Sequence, residues 1–311
     1  MEVIFLGTPA FAVPTLELLV QTHHVKLVVT QPDRPKGRGR ELAASPVKQA
    51  AIRLGLPVFQ PERIRRPEAQ ASLAELQPEI MVVVGYGQII PQSVIDIPPR
   101  GIVNVHASLL PKYRGAAPIQ WAIVNGEKVT GVTTMQINAG LDTGDILLAR
   151  ETTIDLDETA VELSERLARM GAELLVETLD GLSRAAIAPQ KQDDAQATLA
   201  PILNKEDGAI LWAQPAAAIH NRVRGLLPWP GAYTHFRGQS LHIWRARTSA
   251  DRTSAAPGHV VPGSGFRVAC GDGSILELIE VQLEGRKRMT AEAFTNGQRL
   301  SENDILGEQP N

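Results

Sequence analysis

IMVVVGYG, residues 80–87, is an unbroken apolar run closed by Gly-Tyr-Gly. Every residue from Ile80 to Val84 except Met81 is β-branched, which favours extended chain. Successive side chains of a strand point to opposite faces, so both faces of this one must be covered. That is the signature of a central strand in a parallel sheet with helices on each side. The neighbouring sequence agrees. Val3 to Leu6 is a second apolar run, followed by helical spacing through Leu16, Leu18 and Leu19. Lys26 to Val29 is the next strand. Ser45 to Leu54 reads as a helix entered at Ser45-Pro46, a hydroxyl cap followed by a first-position proline. Glu68 to Leu76 is a further helix and Ile102 to His106 a further strand. Strand and helix alternate, which predicts an α/β fold built on a doubly wound, Rossmann-like parallel sheet.

A helix over Pro118 to Val124 precedes two more strand-like runs, Val132 to Ile137 and Ile146 to Thr153. A long helix from about Glu158 to Leu179 follows, with Asp157 as its expected cap. From Arg184 to Gly208 periodicity dissolves into Ala, Gln, Asp and Pro, the composition of a linker. Beyond it short strands recur. Tyr233–Phe236 and Leu241–Ala246 are joined by Arg237-Gly238-Gln239-Ser240, and Phe266–Cys270 and Ile275–Val281 by a stretch containing Asp272-Gly273. The expected organisation is a sheet domain over 1–185, a linker over 186–207 and a small OB-like β-barrel over 208–311.

Composition narrows the function classes. With 311 residues, 43% of them hydrophobic, the chain can build two cores. Its 31 basic and 34 acidic residues nearly cancel, which argues against a protein that merely coats nucleic acid. The one cysteine, Cys270, has no partner for an internal disulfide, and no Cys/His cluster has zinc-ligand spacing, so no metal is expected. No apolar run approaches the ~18 residues that span a bilayer. The opening MEVIFLGTP reads as a strand rather than a signal peptide, and a cytoplasmic location is expected. Oligomeric state is not legible; a monomer is the default expectation.

Sheets of this kind bind ligands beyond the carboxyl ends of their strands. Gly85-Tyr86-Gly87 and Asn104-Val105-His106 lie at such ends. The first turn, FLGTPAF, lacks the GxGxxG fingerprint, against a nicotinamide enzyme. Asn104 and His106 are two residues apart and share one face. On these residues alone two readings stay open, a capped strand end with a satisfied histidine or a reactive pair in a crevice.

Asn104 to Glu127 reads NVHASLLPKYRGAAPIQWAIVNGE, and Gly140 to Ile146 reads GLDTGDI. In that order the blocks resemble the signature of the folate-dependent formyltransferases. The resemblance implies that Asp142, rather than Asp145, completes a trio with Asn104 and His106. It implies that Ser108, Leu109, Leu110 and Pro111 line the folate pocket, and that 10-formyltetrahydrofolate is the formyl donor, with no metal. The chemistry suits these residue types. An α-amino group with a pKa near ~7.7–8.0 has a substantial neutral fraction. Asn104 can donate to the developing oxyanion, as can a cationic His106. His106 and Asp142 can relay the proton that leaves the amine. Which of the two is the base is not legible.

Gln31 to Leu42, QPDRPKGRGREL, resembles the PDRPxGRG loop of the methionyl-tRNA formyltransferases. That likeness implies that Arg34, Lys36, Arg38 and Arg40 meet the acceptor end of tRNA, with Arg38 the key residue. On the residues alone, basic side chains between glycines fit either a solvated surface loop or a mobile one that closes over phosphates, and the resemblance implies the second. Leu227-Pro228-Trp229-Pro230-Gly231 resembles a turn of the same family's second domain, so the likeness runs from the first strand nearly to the end. Arg222 and Arg224, Arg245 and Arg247, and Arg286-Lys287-Arg288 are local cations suited to backbone phosphates. The implied reaction is formylation of the α-amino group of methionyl-initiator-tRNA, giving N-formylmethionyl-tRNA for translation initiation. The alternatives are a formyltransferase acting on a small amine (an amino sugar or purine precursor) and a 10-formyltetrahydrofolate hydrolase. Residues that tell initiator from elongator tRNA are not legible.

Overall fold

The computed structural model describes residues 1–36 and 41–307. The chain divides into two compact units. The first takes in Met1–Pro118, Val129–Thr153 and Ser164–Ala200. Its sheet has seven strands. Five run parallel: β1 (Glu2–Gly7), β2 (His24–Val29), β3 (Val58–Phe59), β4 (Ile80–Val84) and β5 (Ile102–His106), in the order β3-β2-β1-β4-β5. The strand order reverses direction from β1, as in Rossmann-like sheets. β4 alternates as a doubly covered strand must. Ile80, Val82 and Val84 join one apolar cluster with Val3, Phe5, Val103 and Leu175. Met81 and Val83 join another with Ile4, Leu6, Val29 and Ile102.

The sheet is not parallel throughout. β6 (Val129–Gln136) lies antiparallel to β5, and β7 (Ile146–Thr153) antiparallel to β6. The link between β6 and β7 is shorter than the roughly dozen residues a parallel crossover needs, so a return in the opposite sense is forced.

Helix caps explain two boundaries. Ser45 Oγ accepts the Lys48 N–H at 3.0 Å, starting the helix Pro46–Arg53. The long helix is Ala160–Ser183, and Asp157 is not its cap. Thr159 and Glu162 form a capping box instead: Glu162 N donates to Thr159 Oγ1 at 3.3 Å and Thr159 N to Glu162 Oε2 at 2.9 Å. Asp157 Oδ1 lies 3.2 Å from His220 Nε2.

The stretch expected as a linker carries structure, and the first unit runs on to Ala200. Gln190 and Ile146 exchange both backbone hydrogen bonds at 2.8 Å. Leu199–Ala200 pairs in parallel with Arg114–Gly115.

The second unit takes in Ile119–Lys128, Ile154–Leu163 and the chain from Pro201 onward. Its sheet joins β8 (Ala232–Phe236), β9 (Gln239–Arg252), β11 (Ser274–Leu283) and β10 (Phe266–Ala269) in that order, with β12 (Met289–Thr290) on β11, all antiparallel. Phe266 stacks on Phe294 at 5.5 Å between centroids, and Phe236 meets Phe294 edge-on at 5.3 Å. Trp212 Nε1 donates to Thr234 Oγ1 at 2.9 Å, which satisfies its one polar atom inside the core.

Several of the cations suited to phosphates are used internally. Arg224 is buried and donates to the carbonyls of Asp155 and Glu158 and to Asn221 Oδ1. Arg247 holds Glu277 in a two-pronged pair at 2.8–2.9 Å. Arg288 pairs with Glu280 and lies over the Trp244 ring. Among the described residues no helix is long and apolar enough to cross a membrane, and no group of three or more His, Cys, Asp or Glu side chains could hold a metal ion.

Candidate active site

β5 ends in Asn104-Val105-His106, and strand alternation turns Asn104 and His106 to one face. Both are buried, at 8% and 6% exposure, where an unmet polar group is costly. His106 Nε2 lies 2.9 Å from the carbonyl oxygen of Tyr113. A carbonyl can only accept, so Nε2 is the donor and Nδ1 is the nitrogen left to face the loop. Nδ1 faces Asp142 Oδ2 at 3.7 Å. That exceeds hydrogen-bonding distance. The amide of Asn104 has no hydrogen-bond partner among the described residues. A free donor, an ionisable nitrogen and a carboxylate therefore converge at the end of one strand. Together they can stabilise a developing negative oxygen and move a proton.

Asp142 comes from the loop between β6 and β7, with φ +51. Its Oδ2 accepts the N–H of Gly115 at 2.9 Å. Gly115 itself has φ +125, and a Cβ there would lie 2.6 Å from the Ala200 carbonyl oxygen. Only glycine lets the amide reach the carboxylate from that position. Among the described residues the Asp145 side chain makes no bond to the cluster; its carbonyl accepts from Gln136 N at 2.9 Å.

The segment after β5 is held by β6. Thr133 Oγ1 donates to the Ser108 carbonyl at 2.7 Å and accepts from Leu110 N at 3.2 Å. Ser108 is fully buried and its hydroxyl is consumed by the Lys112 carbonyl at 2.6 Å. Leu110 is buried, while Leu109 and Pro111 keep partial exposure. Tyr86 belongs to the core by its ring, packed with Ile4, Leu6, Val29 and Ile64. Burial pushes its phenol up to about 12, and its hydroxyl has no hydrogen-bond partner among the described residues. Its carbonyl does face polar groups, accepting from Thr8 Oγ1 at 2.9 Å and Gln31 Nε2 at 3.2 Å.

Of the four loop cations, Arg34 is exposed. Arg34–Lys36 pairs with Glu41–Ala43 as a short antiparallel ladder. Arg38 and Arg40 lie outside the described residues. At the base of this loop Lys48 and Gln60 bind Asp33 at 2.6 and 2.8 Å, which holds its carboxyl below the usual carboxylate range.

Sequence reasoning missed several groups around the trio. The Tyr113 carbonyl and the Gly115 N–H are backbone groups with no side-chain signature. Gln192 donates to the carbonyls of Asp142 at 2.8 Å and Gly144 at 2.7 Å, and accepts from Arg114 Nε at 3.0 Å and Nη2 at 2.8 Å. It sits in the stretch whose composition signalled a linker. The Arg114-Gly115 pair within the quoted block was the one local cue.

A buried Asn-x-His pair facing a loop aspartate, on a Rossmann-like sheet followed by an antiparallel unit, defines a group-transfer class, and the chain belongs to the formyl transferase family. The family model described as formyl transferase matches residues 1–179, and that of its C-terminal domain matches 202–299. Within the family, methionyl-tRNA formyltransferase of Solibacter usitatus (strain Ellin6076) is 65% identical over 309 residues, covering 99% of each chain. The methionyl-tRNA formyltransferase of Koribacter versatilis (strain Ellin345) is 56% identical over 310 residues, again covering 99% of each. Among solved structures, an N-formyltransferase from Helicobacter canadensis, in complex with folinic acid and dTDP-3-aminofucose, aligns with a TM-score of 0.69 at 19% identity, over 89% of this chain and 98% of that one. HypX from Aquifex aeolicus in complex with tetrahydrofolic acid aligns at 0.63 and 16% identity, over 94% of this chain and 46% of that one. These distant likenesses speak to the fold.

Proposed function

We propose that this enzyme transfers the formyl group of 10-formyltetrahydrofolate to the α-amino nitrogen of methionyl-initiator-tRNA, giving N-formylmethionyl-tRNA. The observation that carries this reading is the 65% identity, over 99% of both chains, to a methionyl-tRNA formyltransferase. The folate complexes of two relatives in fold support a folate donor. In the reaction the neutral amine attacks the formyl carbon. A new C–N bond forms, the carbonyl oxygen takes up negative charge, and the bond to the folate nitrogen then breaks. Asn104 donates its free amide N–H to that oxygen. The proton lost by the amine passes through His106 Nδ1 and Asp142 to the folate nitrogen. Leu109 and Pro111 offer partly exposed apolar surface for the pterin beside the trio, with Ser108 and Leu110 packed beneath them.

Arg34, Lys36, Arg38 and Arg40 would grip the acceptor end of the tRNA. The second domain, 208–311, would bind more of the tRNA with an OB-like antiparallel barrel, the enzyme acting as a cytoplasmic monomer. Steady-state assays with formyl donor, with and without charged initiator tRNA, test the reading. Formate release without tRNA, or transfer to an amino sugar in its place, overturns it. Arg38→Ala should lower formylation of charged tRNA severely and leave folate binding unchanged, and Lys at this position should rescue only in part, because an ammonium lacks the guanidinium fork.

A further inference from the structure

We propose that Gln192 is a positioning residue that holds Asp142 in register with His106, an inference that rests on the reading of Asp142 as a member of the proton-relay trio. Asp142 is held at φ +51, a left-handed conformation that L-residues seldom adopt and that persists only where the surroundings hold it. Its carbonyl and that of Gly144 converge on one side-chain nitrogen, Gln192 Nε2, at 2.8 and 2.7 Å. The two N–H groups of the amide are thereby both used. On the other side of the same amide, Oε1 takes two N–H groups from Arg114 at 3.0 and 2.8 Å. Carbonyls cannot donate and a guanidinium cannot accept, so the amide has one orientation and no spare hydrogen-bonding capacity.

Arg114 is buried at 7% exposure and also binds Asp194 Oδ1 at 2.7 Å. Its chain neighbours complete the arrangement. Tyr113 holds His106 Nε2 through its carbonyl, and Gly115 holds the Asp142 carboxylate through its N–H. Three consecutive residues thus grip His106, Gln192 and Asp142, and Gln192 closes the ring by holding the backbone of Asp142. Thr198 Oγ1 and the Thr198 carbonyl, from the same strap as Gln192, fix Tyr113 N and Arg114 N at 2.8 and 2.9 Å. Loss of the amide frees the Asp142 loop without touching a group that meets substrate.

The test is a double-mutant cycle in the full chain. Gln192→Met removes both halves of the bridge. Gln192→Glu keeps an acceptor for Arg114 but sets a bare oxygen against two carbonyls. Each is expected to lower kcat for formylation of methionyl-tRNA by about 10- to 100-fold, the scale of a 1 Å misplacement, with KM for donor and acceptor within about 3-fold. In an Asp142→Asn background the same changes should cost less than about 3-fold, because the group they position is already disabled. An equal factor in both backgrounds, or full activity of Gln192→Glu, overturns the proposal. If Gln192→Met does not fold, Gln192→Glu carries the cycle alone. Full activity of Asp142→Asn would instead remove Asp142 from the trio. A substrate-free readout separates the two failures: exchange of the Gly115 amide hydrogen should quicken at least about 10-fold in Gln192→Glu, since its acceptor is no longer held. Unchanged exchange overturns the proposal whatever the acceptor of the formyl group.

Discussion

Gly144→Ala should disable the enzyme through a single methyl group. A Cβ built on Gly144 would lie 1.7 Å from the carbonyl oxygen of Gln136, at the end of β6. Carbon and oxygen settle no closer than about 3.3 Å, so the two backbones must part by roughly 1.6 Å. Neither is free to swing, because Gln136 N donates to the Asp145 carbonyl at 2.9 Å. The displacement falls on the loop that carries Asp142. It stretches the 2.9 Å bond from Gly115 N past hydrogen-bonding range and widens the 3.7 Å approach to His106. A misplacement of this order costs on the order of 10²-fold in rate, and overpacking costs about 1–3 kcal/mol of stability. The assay is kcat for formyl transfer beside a urea unfolding curve of the same preparation. The control is Gly297→Ala, where nothing lies within 4 Å of the added methyl on the exposed face of the helix Ala291–Gln298. That change should stabilise by about 0.5–1 kcal/mol and leave kcat alone. A Gly144→Ala enzyme with wild-type kcat would refute the reasoning.

Asn104→Ala removes the free amide donor and should lower kcat by about 10²–10³-fold with little change in KM; a fall in affinity alone would deny Asn104 a role in the transition state. Cys270 is buried, which pushes its thiol up to about 11, so a disulfide reagent at pH 8 should label it only after unfolding. Rapid labelling of the native protein would contradict that burial. Asp304 is held below the usual carboxylate range chiefly by the Arg237 fork, at 2.7 and 2.9 Å. A depressed carboxyl contributes stability above its unfolded pKa of 3.8 that is lost as pH falls through the lower folded value. Arg237→Met should therefore lower the urea midpoint at pH 7 and shrink its drop between pH 7 and pH 3; an undiminished drop would exclude the pair as its source.

The parallel core was legible because β4 is apolar at every position and β1 is apolar from Val3 to Leu6, a pattern few other environments tolerate. The antiparallel turn at β6 and β7 was not, since an apolar run carries no direction. Asn104 and His106 were legible as a pair from strand alternation, but their partner was not. Asp142 lies 27 residues from the amide that holds its carboxylate, and Gln192 lies 50 residues from the carbonyl it binds. Contacts at such separations leave no local spacing, and Asp142 was reached through family resemblance alone. Gln192 was hidden by composition. Its neighbours are polar because they lie on the surface, which looks the same in sequence as a linker. Arg224 was opaque in the opposite way: one of a basic pair suited to phosphate, it is buried and donates to the carbonyls of Asp155 and Glu158.

The second unit has a history in time as well as a shape. Arg224 donates to the carbonyls of Glu158 and Asp155, made 66 and 69 residues earlier. At synthesis rates of about 5–20 residues per second, those oxygens precede their donor by roughly 3 to 14 s. Ile123, fully buried in the finished protein, likewise precedes Gly225, against which its methyl group packs. Through that interval the growing chain displays apolar residues whose cover does not yet exist, a window in which a ribosome-bound chaperone has something to hold. Slower translation beyond Ala200 lengthens that window in proportion.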